Sequence, residues 1–130
     1  MKFTWAEKLS PPDCHYLTRW VFETRWFSIR LHHWLSSDDS RYFHDHPWWF
    51  WSWVIKGSYI DKTENYSELR KRWSLKRYEA THRHTVVIPP EGCWTILLTG
   101  PKTRVWGFWV KGKFKKVRRY FWDYGHHQCN

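Results

Sequence analysis

The apolar positions of this chain fall into short runs that alternate with polar ones and are closed by Gly, Pro or clusters of Ser and Asp. "RWVFETRWFSIRLHHWL" alternates loosely and is rich in aromatic and β-branched residues, the side chains that suit a pleated, half-buried surface. "SSDDS" interrupts it with turn formers. "WWFWSWVIKGSYI" predicts a second long strand closed at Lys56-Gly57, and "KRWSLKRYEA" a third. "HTVVI" stops at Pro89-Pro90, where "PPEG" predicts a turn. "CWTILLTGPKTRVWGFWVKGKFKKVRRYFWDY" then predicts strand, turn at Gly100-Pro101, strand, turn at Lys111-Gly112, and strand. Only "YSELRKRW" strings helix formers together, and it is short and heavily charged. About seven strands with Gly and Pro at the joints predict an all-β antiparallel sandwich or small barrel, with a jelly roll the best fit.

Composition sharpens this picture. A length of 130 residues predicts one domain, 1–130, able to bury one core. Thirteen tryptophans make aromatic burial and stacking prominent, because each indole brings a large apolar face and one N–H that needs a partner. Lys and Arg outnumber Asp and Glu by 22 to 12, a formal charge of +10, so the surface should attract anions. Cys14, Cys93 and Cys129 are far apart with no CxxC pair, which argues against a disulfide framework or a cysteine zinc site. The start lacks a long apolar stretch, and no run approaches the roughly 20 residues of a membrane helix. The expectation is a cytoplasmic protein with no membrane partner.

The chemistry centres on "RYFHDHPWWFWSWVIKG". Successive strand side chains face opposite ways, so His44 and His46 share a face, followed on it by Trp48 and Phe50. Two imidazoles so spaced can converge on one ion. "ATHRHTVVI" offers His82 and His84 as a third ligand from a neighbouring strand. Three imidazoles with open coordination positions suit Fe, Zn, Ni, Cu or Mn. The competing view is that these histidines are hydrogen-bonded core or surface residues. Asp45, between the pair, should point away and anchor its loop or a nearby arginine. His32 and His33, on the preceding strand, read first as hydrogen-bonded core histidines, with one facing the cavity as the alternative, while His126 and His127 read as solvated.

Those motifs carry a resemblance. "HDHPWWFWSWVIKG" resembles the first motif of the cupin superfamily, in which HxH is followed three or four residues later by Glu and then by Gly. "LHHWLSSDDSRYFHDHPWWFWSWVIKGSYID" with "HTVVIPPEGCWTILLTGPKTRVWGFW" is similar to small bacterial and phage cupin-like proteins, over roughly residues 17 to 122. The resemblance implies a double-stranded β-helix, the jelly-roll cupin barrel, with a metal site inside. On it, His44 and His46 match the motif histidines and Gly57 the closing glycine, while Phe50 or Trp51 stands where the Glu ligand would be. No Pro-x-Gly precedes His82 or His84; His84 is the preferred third ligand, with His82 as substitute. The ligand set becomes three histidines, as in some thiol dioxygenases of the superfamily, and the expected ion Fe(II), with Zn, Ni, Mn or Cu as alternatives.

Around that centre, Trp48, Phe50, Trp94, Trp106 and Trp109 are expected either to line a substrate pocket or to fill a barrel core. Arg104 would grip an anionic substrate group in a guanidinium fork, and Tyr59 and Asp61 would move protons at the pocket mouth. The basic runs "ELRKRWSLKR" and "KGKFKKVRRYFW" suit either solvated faces or a nucleic-acid surface. Two functions compete: a metal-dependent oxygenase or isomerase acting on a small anionic or aromatic substrate, and a non-catalytic barrel that binds a small ligand, a nucleic acid or a protein. Exposed strand edges would permit a homodimer.

Overall fold

The structure is a computed structural model, and it describes residues 1–9, 16–37 and 42–124. Twelve strands and one helix follow in order: β1 (Lys2–Leu9), β2 (Leu17–Glu23), β3 (Ser28–Trp34), β4 (Phe43–His44), β5 (Phe50–Gly57), β6 (Tyr59–Lys62), β7 (Ser67–Arg70), β8 (Leu75–Tyr78), β9 (Thr85–Val87), β10 (Cys93–Thr99), β11 (Gly107–Val110), β12 (Lys113–Lys116) and α1 (Val117–Tyr124). Six strands form one antiparallel wall in the order β1-β2-β3-β10-β5-β8. The opposite wall is two three-stranded sheets, β12-β11-β4 and β7-β6-β9. A single bridge joins them: His44 and His84 each donate their backbone N–H to the other's carbonyl at 3.0 Å. This is the expected all-β double-stranded β-helix.

Alternation decides what each wall buries. In β10, Cys93, Thr95, Leu97 and Thr99 are buried while Trp94, Ile96 and Leu98 face outward. In β5, Phe50, Ser52 and Val54 are buried, and Trp51 and Trp53 are exposed. Apolar packing concentrates in three patches: Val54, Tyr59, Val86, Ile88 and Cys93; Phe50, Tyr78 and Leu97; and Phe108, Val110 and Tyr120. Between them the interior is polar, with Ser28, Arg30, His32, Ser52, Asp61 and Thr95 all buried. Polar groups are costly inside a dry core, so this phase of the strands encloses a cavity rather than a packed centre.

Gly57 closes β5 with φ of 78°, a left-handed conformation that glycine adopts without steric cost. A Cβ there would stand 2.6 Å from the Gly92 carbonyl oxygen. The motif glycine thus makes the sharp exit from β5 beside the β9–β10 turn.

The one run of helix formers is strand and turn, and the last predicted strand needs correction. "YSELRKRW" supplies the strand β7 and the turn after it; helix propensity yields there to pairing with β6. The last predicted strand is in fact short β12 followed by α1. Val117, Tyr120 and Phe121 recur at helical spacing and pack on Phe108 and Val110, with the Tyr120 ring stacked on Phe108 at 3.7 Å. No helix among the described residues is long and apolar enough to cross a membrane.

Candidate metal centre and its cavity

The bridge between the two small sheets also brings the histidines together. His44 and His84 are cross-strand partners, and His46, two residues on, returns to the same face. One ring nitrogen from each of His44, His46 and His84 lies within 4.8 Å of the others. The ring centroids are 5.0 Å apart for His44 and His84, and 4.8 Å for His46 and His84. Phe50 lies 4.7 Å from His46, and Trp106 and Phe108 pack at 6.0 and 5.8 Å from His44. The position that would carry the cupin Glu ligand is therefore an inward-facing phenylalanine, since Trp51 faces out.

Asp61 organises the centre from behind. Fully buried, its carboxylate accepts a hydrogen bond from His84 Nδ1–H and another from His82 Nε2–H at 2.9 Å. Burial works against this carboxylate, but the two imidazole hydrogen bonds outweigh it and hold Asp61 below the usual carboxylate range. With Nδ1–H committed to Asp61, His84 presents its Nε2 lone pair forward. His46 Nε2 stands 3.1 Å from that atom. Burial, reinforced by the neighbouring histidines, holds His46 well below its ordinary pKa; burial also lowers His84, against the pull of Asp61. Both are neutral imidazoles at physiological pH, the form that ligates.

These residues fit a divalent metal. Two ligand bonds of about 2.1 Å to nitrogens 3.1 Å apart subtend about 95° at the ion, an ordinary angle between neighbouring ligands. A carboxylate hydrogen-bonded behind a metal-ligating histidine fixes its tautomer and raises its basicity. A second grouping, Asp61, His82 and His84, also meets the distance criterion for three ligands. It shares His84 but spends the Asp61 oxygens on hydrogen bonds to both imidazoles. His44, His46 and His84 are the set that lines the cavity.

The cavity in front of these histidines has a volume of about 460 Å³. Trp48, Phe50, Trp106 and Tyr59 line it. The Tyr59 hydroxyl is hydrogen-bonded to Ser52 Oγ at 3.1 Å and to the Tyr78 hydroxyl at 3.3 Å, and burial pushes its pKa up. Tyr59 therefore stays protonated.

Four residues lie elsewhere than the sequence led us to expect. Arg104 does not line the cavity. It forms an ion pair with Asp45 at 2.8 Å and donates to the His46 and Ala80 carbonyls, because Asp45, pointing opposite to its histidine neighbours, draws it to the outer side. Trp94 faces away from the cavity on β10, stacked on His33 at 4.0 Å and on Trp20 at 5.9 Å. Trp109 likewise lies outside, donating to Asp45 and covered by Arg83. Asp61 is not at a mouth but behind His84. His126 and His127, with Cys14 and Cys129, lie outside the described residues. The basic runs fall on β7–β8 and β12–α1, away from the cavity, with Lys76 paired to Glu68 and Arg119 to Asp123.

Sequence reasoning missed Arg30, Ser52 and Thr95, which line the cavity. Their signal was present: each is a polar residue at a buried phase of a strand.

Neither a family model nor a curated protein matches this sequence. Solved structures match by shape. An RmlC-like cupin protein from Ralstonia eutropha superposes with a TM-score of 0.61 at 14% identity, covering 94% of this chain and 79% of that one. A protein with a double-stranded β-helix domain from Klebsiella pneumoniae gives 0.60 at 16% identity, covering 75% and 88%. Fe(II) HppE gives 0.58 at 10% identity, covering 72% and 54%. The chain has the double-stranded β-helix fold of the cupin superfamily.

Proposed function

We propose that the cavity is a metal-dependent site for a small molecule, with His44, His46 and His84 as the protein ligands. The observation that carries this reading is the convergence of the His46 and His84 Nε2 atoms at 3.1 Å, with Asp61 holding the back of His84. A divalent transition metal bound there would supply Lewis acidity and, if redox-active, a place for dioxygen chemistry. Fe(II) is the first choice, in keeping with Fe(II) HppE among the structural neighbours. The chain's own contribution is to hold three neutral imidazoles, to keep bulk water from the ring faces with Phe50, Trp48 and Trp106, and to offer the Tyr59 hydroxyl as a hydrogen-bonding group. An oxygenase or isomerase acting on a small anionic substrate is the reaction class that fits.

Phe50 in place of a carboxylate ligand favours a second reading, a barrel that binds its ligand without turning it over. Elemental analysis of untagged protein separates the two at their root. About one equivalent of a transition metal, lost in a His44→Ala, His46→Ala double variant, is the expected result. A folded, metal-free parent that takes up no Fe(II), Zn(II) or Ni(II) on reconstitution overturns the metal site and leaves the ligand-binding barrel.

A further inference from the structure

The wall facing the metal centre contains a second polar cluster. His32 on β3 and Thr95 on β10 are direct cross-strand partners on the inward face. His32 is 7% exposed and Thr95 1% exposed. Neither His32 ring nitrogen nor Thr95 Oγ1 has a hydrogen-bond partner, although a buried polar atom left unpaired costs on the order of 1–3 kcal/mol. Two such residues stand side by side, and both line the same cavity.

The chemistry of a ligand that would pair with them follows from their surroundings. His32 is held neutral, its pKa lowered to about 3 by burial and by Arg19 and Arg30. A neutral imidazole offers one N–H donor and one nitrogen acceptor, and Thr95 adds a hydroxyl, a set that matches a group able both to donate and to accept. Arg30, two residues along the same face, is buried with its guanidinium over Trp48 at 5.0 Å. On this side of the cavity the cations Lys2, Arg19, Arg30 and Lys102 share two carboxylates, Arg19 pairing with Glu7 and both Arg30 and Lys102 with Glu23, which leaves a formal surplus of positive charge.

We propose that His32 and Thr95 form a recognition subsite for a hydroxyl group of a small hydroxy-carboxylate, whose anionic end is met by Arg30. This assignment rests on the cavity being a small-molecule site, and it gives that site its substrate class. Thr95 and His32 are specificity residues in it, on the six-stranded wall and distinct from the metal ligands.

The test is calorimetric titration of small hydroxy acids against their deoxy counterparts, malate against succinate and its homologues, with wild-type protein, Thr95→Val and His32→Phe. A hydroxyl read by a buried polar pair is expected to favour the hydroxy acid by about tenfold or more. Thr95→Val is expected to abolish that preference while raising the melting temperature of the ligand-free protein, since it removes an unpaired buried hydroxyl. Thr95→Val preserves shape, so it decides the matter if His32→Phe fails to fold. Equal affinity for both members of every pair, a preference unchanged in Thr95→Val, or a lowered melting temperature in that variant overturns the subsite. Running the titrations beside metal analysis keeps the two readings apart. A Thr95-dependent preference in a protein without metal sinks only the metal site, and a metal-loaded protein without the preference sinks only the subsite.

Discussion

Asp61 shows how one side chain sets the chemistry of another. By accepting from His84 Nδ1–H it selects the tautomer whose Nε2 faces His46, and it does so from a position with no access to solvent. Asp61→Asn keeps the shape but removes the charge and offers an amide N–H in place of one acceptor oxygen. Loss of a carboxylate that hydrogen-bonds a ligating histidine typically costs about 10- to 100-fold in metal affinity, and that is the expected loss here, measured by competition against a chromophoric chelator. Wild-type affinity in Asp61→Asn would separate Asp61 from metal binding. Gly57 acts through backbone alone. With φ of 78° and 2.6 Å between a hypothetical Cβ and the Gly92 oxygen, Gly57→Ala forces the β5 exit to shift. A destabilisation of more than about 1 kcal/mol is expected, read as a lower urea midpoint at unchanged slope.

Among the elements, the shortest strand has the largest consequence. β4 is two residues long, yet its bridge to His84 joins two three-stranded sheets and places two histidines face to face. Alternation made β5 and β10 legible, since their inward and outward phases follow period two over seven or eight residues. It failed at α1, where Val117, Tyr120 and Phe121 are helically spaced but sit in a run of aromatic and basic residues that also reads as strand. Packing on Phe108 and Val110 resolves the ambiguity. Tyr120 is fully buried there, so Tyr120→Ala should cost about 3–5 kcal/mol, as large aromatic truncations do. Chemical denaturation checks this; a loss below about 1 kcal/mol would mean that α1 docks without supporting the barrel.

For the whole molecule, the polar interior couples stability to pH. His32 has a folded pKa of about 3 against an ordinary value of 6.5. As pH falls below 6.5 the unfolded chain takes up a proton that the folded chain refuses, so stability is full above that value and is lost progressively down to about pH 3. Between pH 6.5 and 5 this one group accounts for a loss on the order of 1–2 kcal/mol. Melting temperatures across that window should fall, and the fall should be shallower in His32→Phe; equal slopes would show that His32 is not the group responsible. Bound metal adds stability by mass action, so chelation at neutral pH is expected to lower the melting temperature of wild type but not of the His44→Ala, His46→Ala variant.

The sequence by itself determined the class of the fold, because two-residue alternation and Gly and Pro punctuation are local properties that survive without knowledge of partners. It also determined that His44 and His46 share a face, since that needs only the strand period. Which residues complete the centre was decided by tertiary structure. His84 meets them through a bridge between sheets, Asp61 arrives behind it from β6, and Arg104 is drawn off by Asp45. Tertiary structure also decided the register between β3 and β10, which brings Arg30, His32 and Thr95 to one cavity. Strand register is set by long-range pairing, and a shift of one residue would have exchanged every one of those side chains for its neighbour.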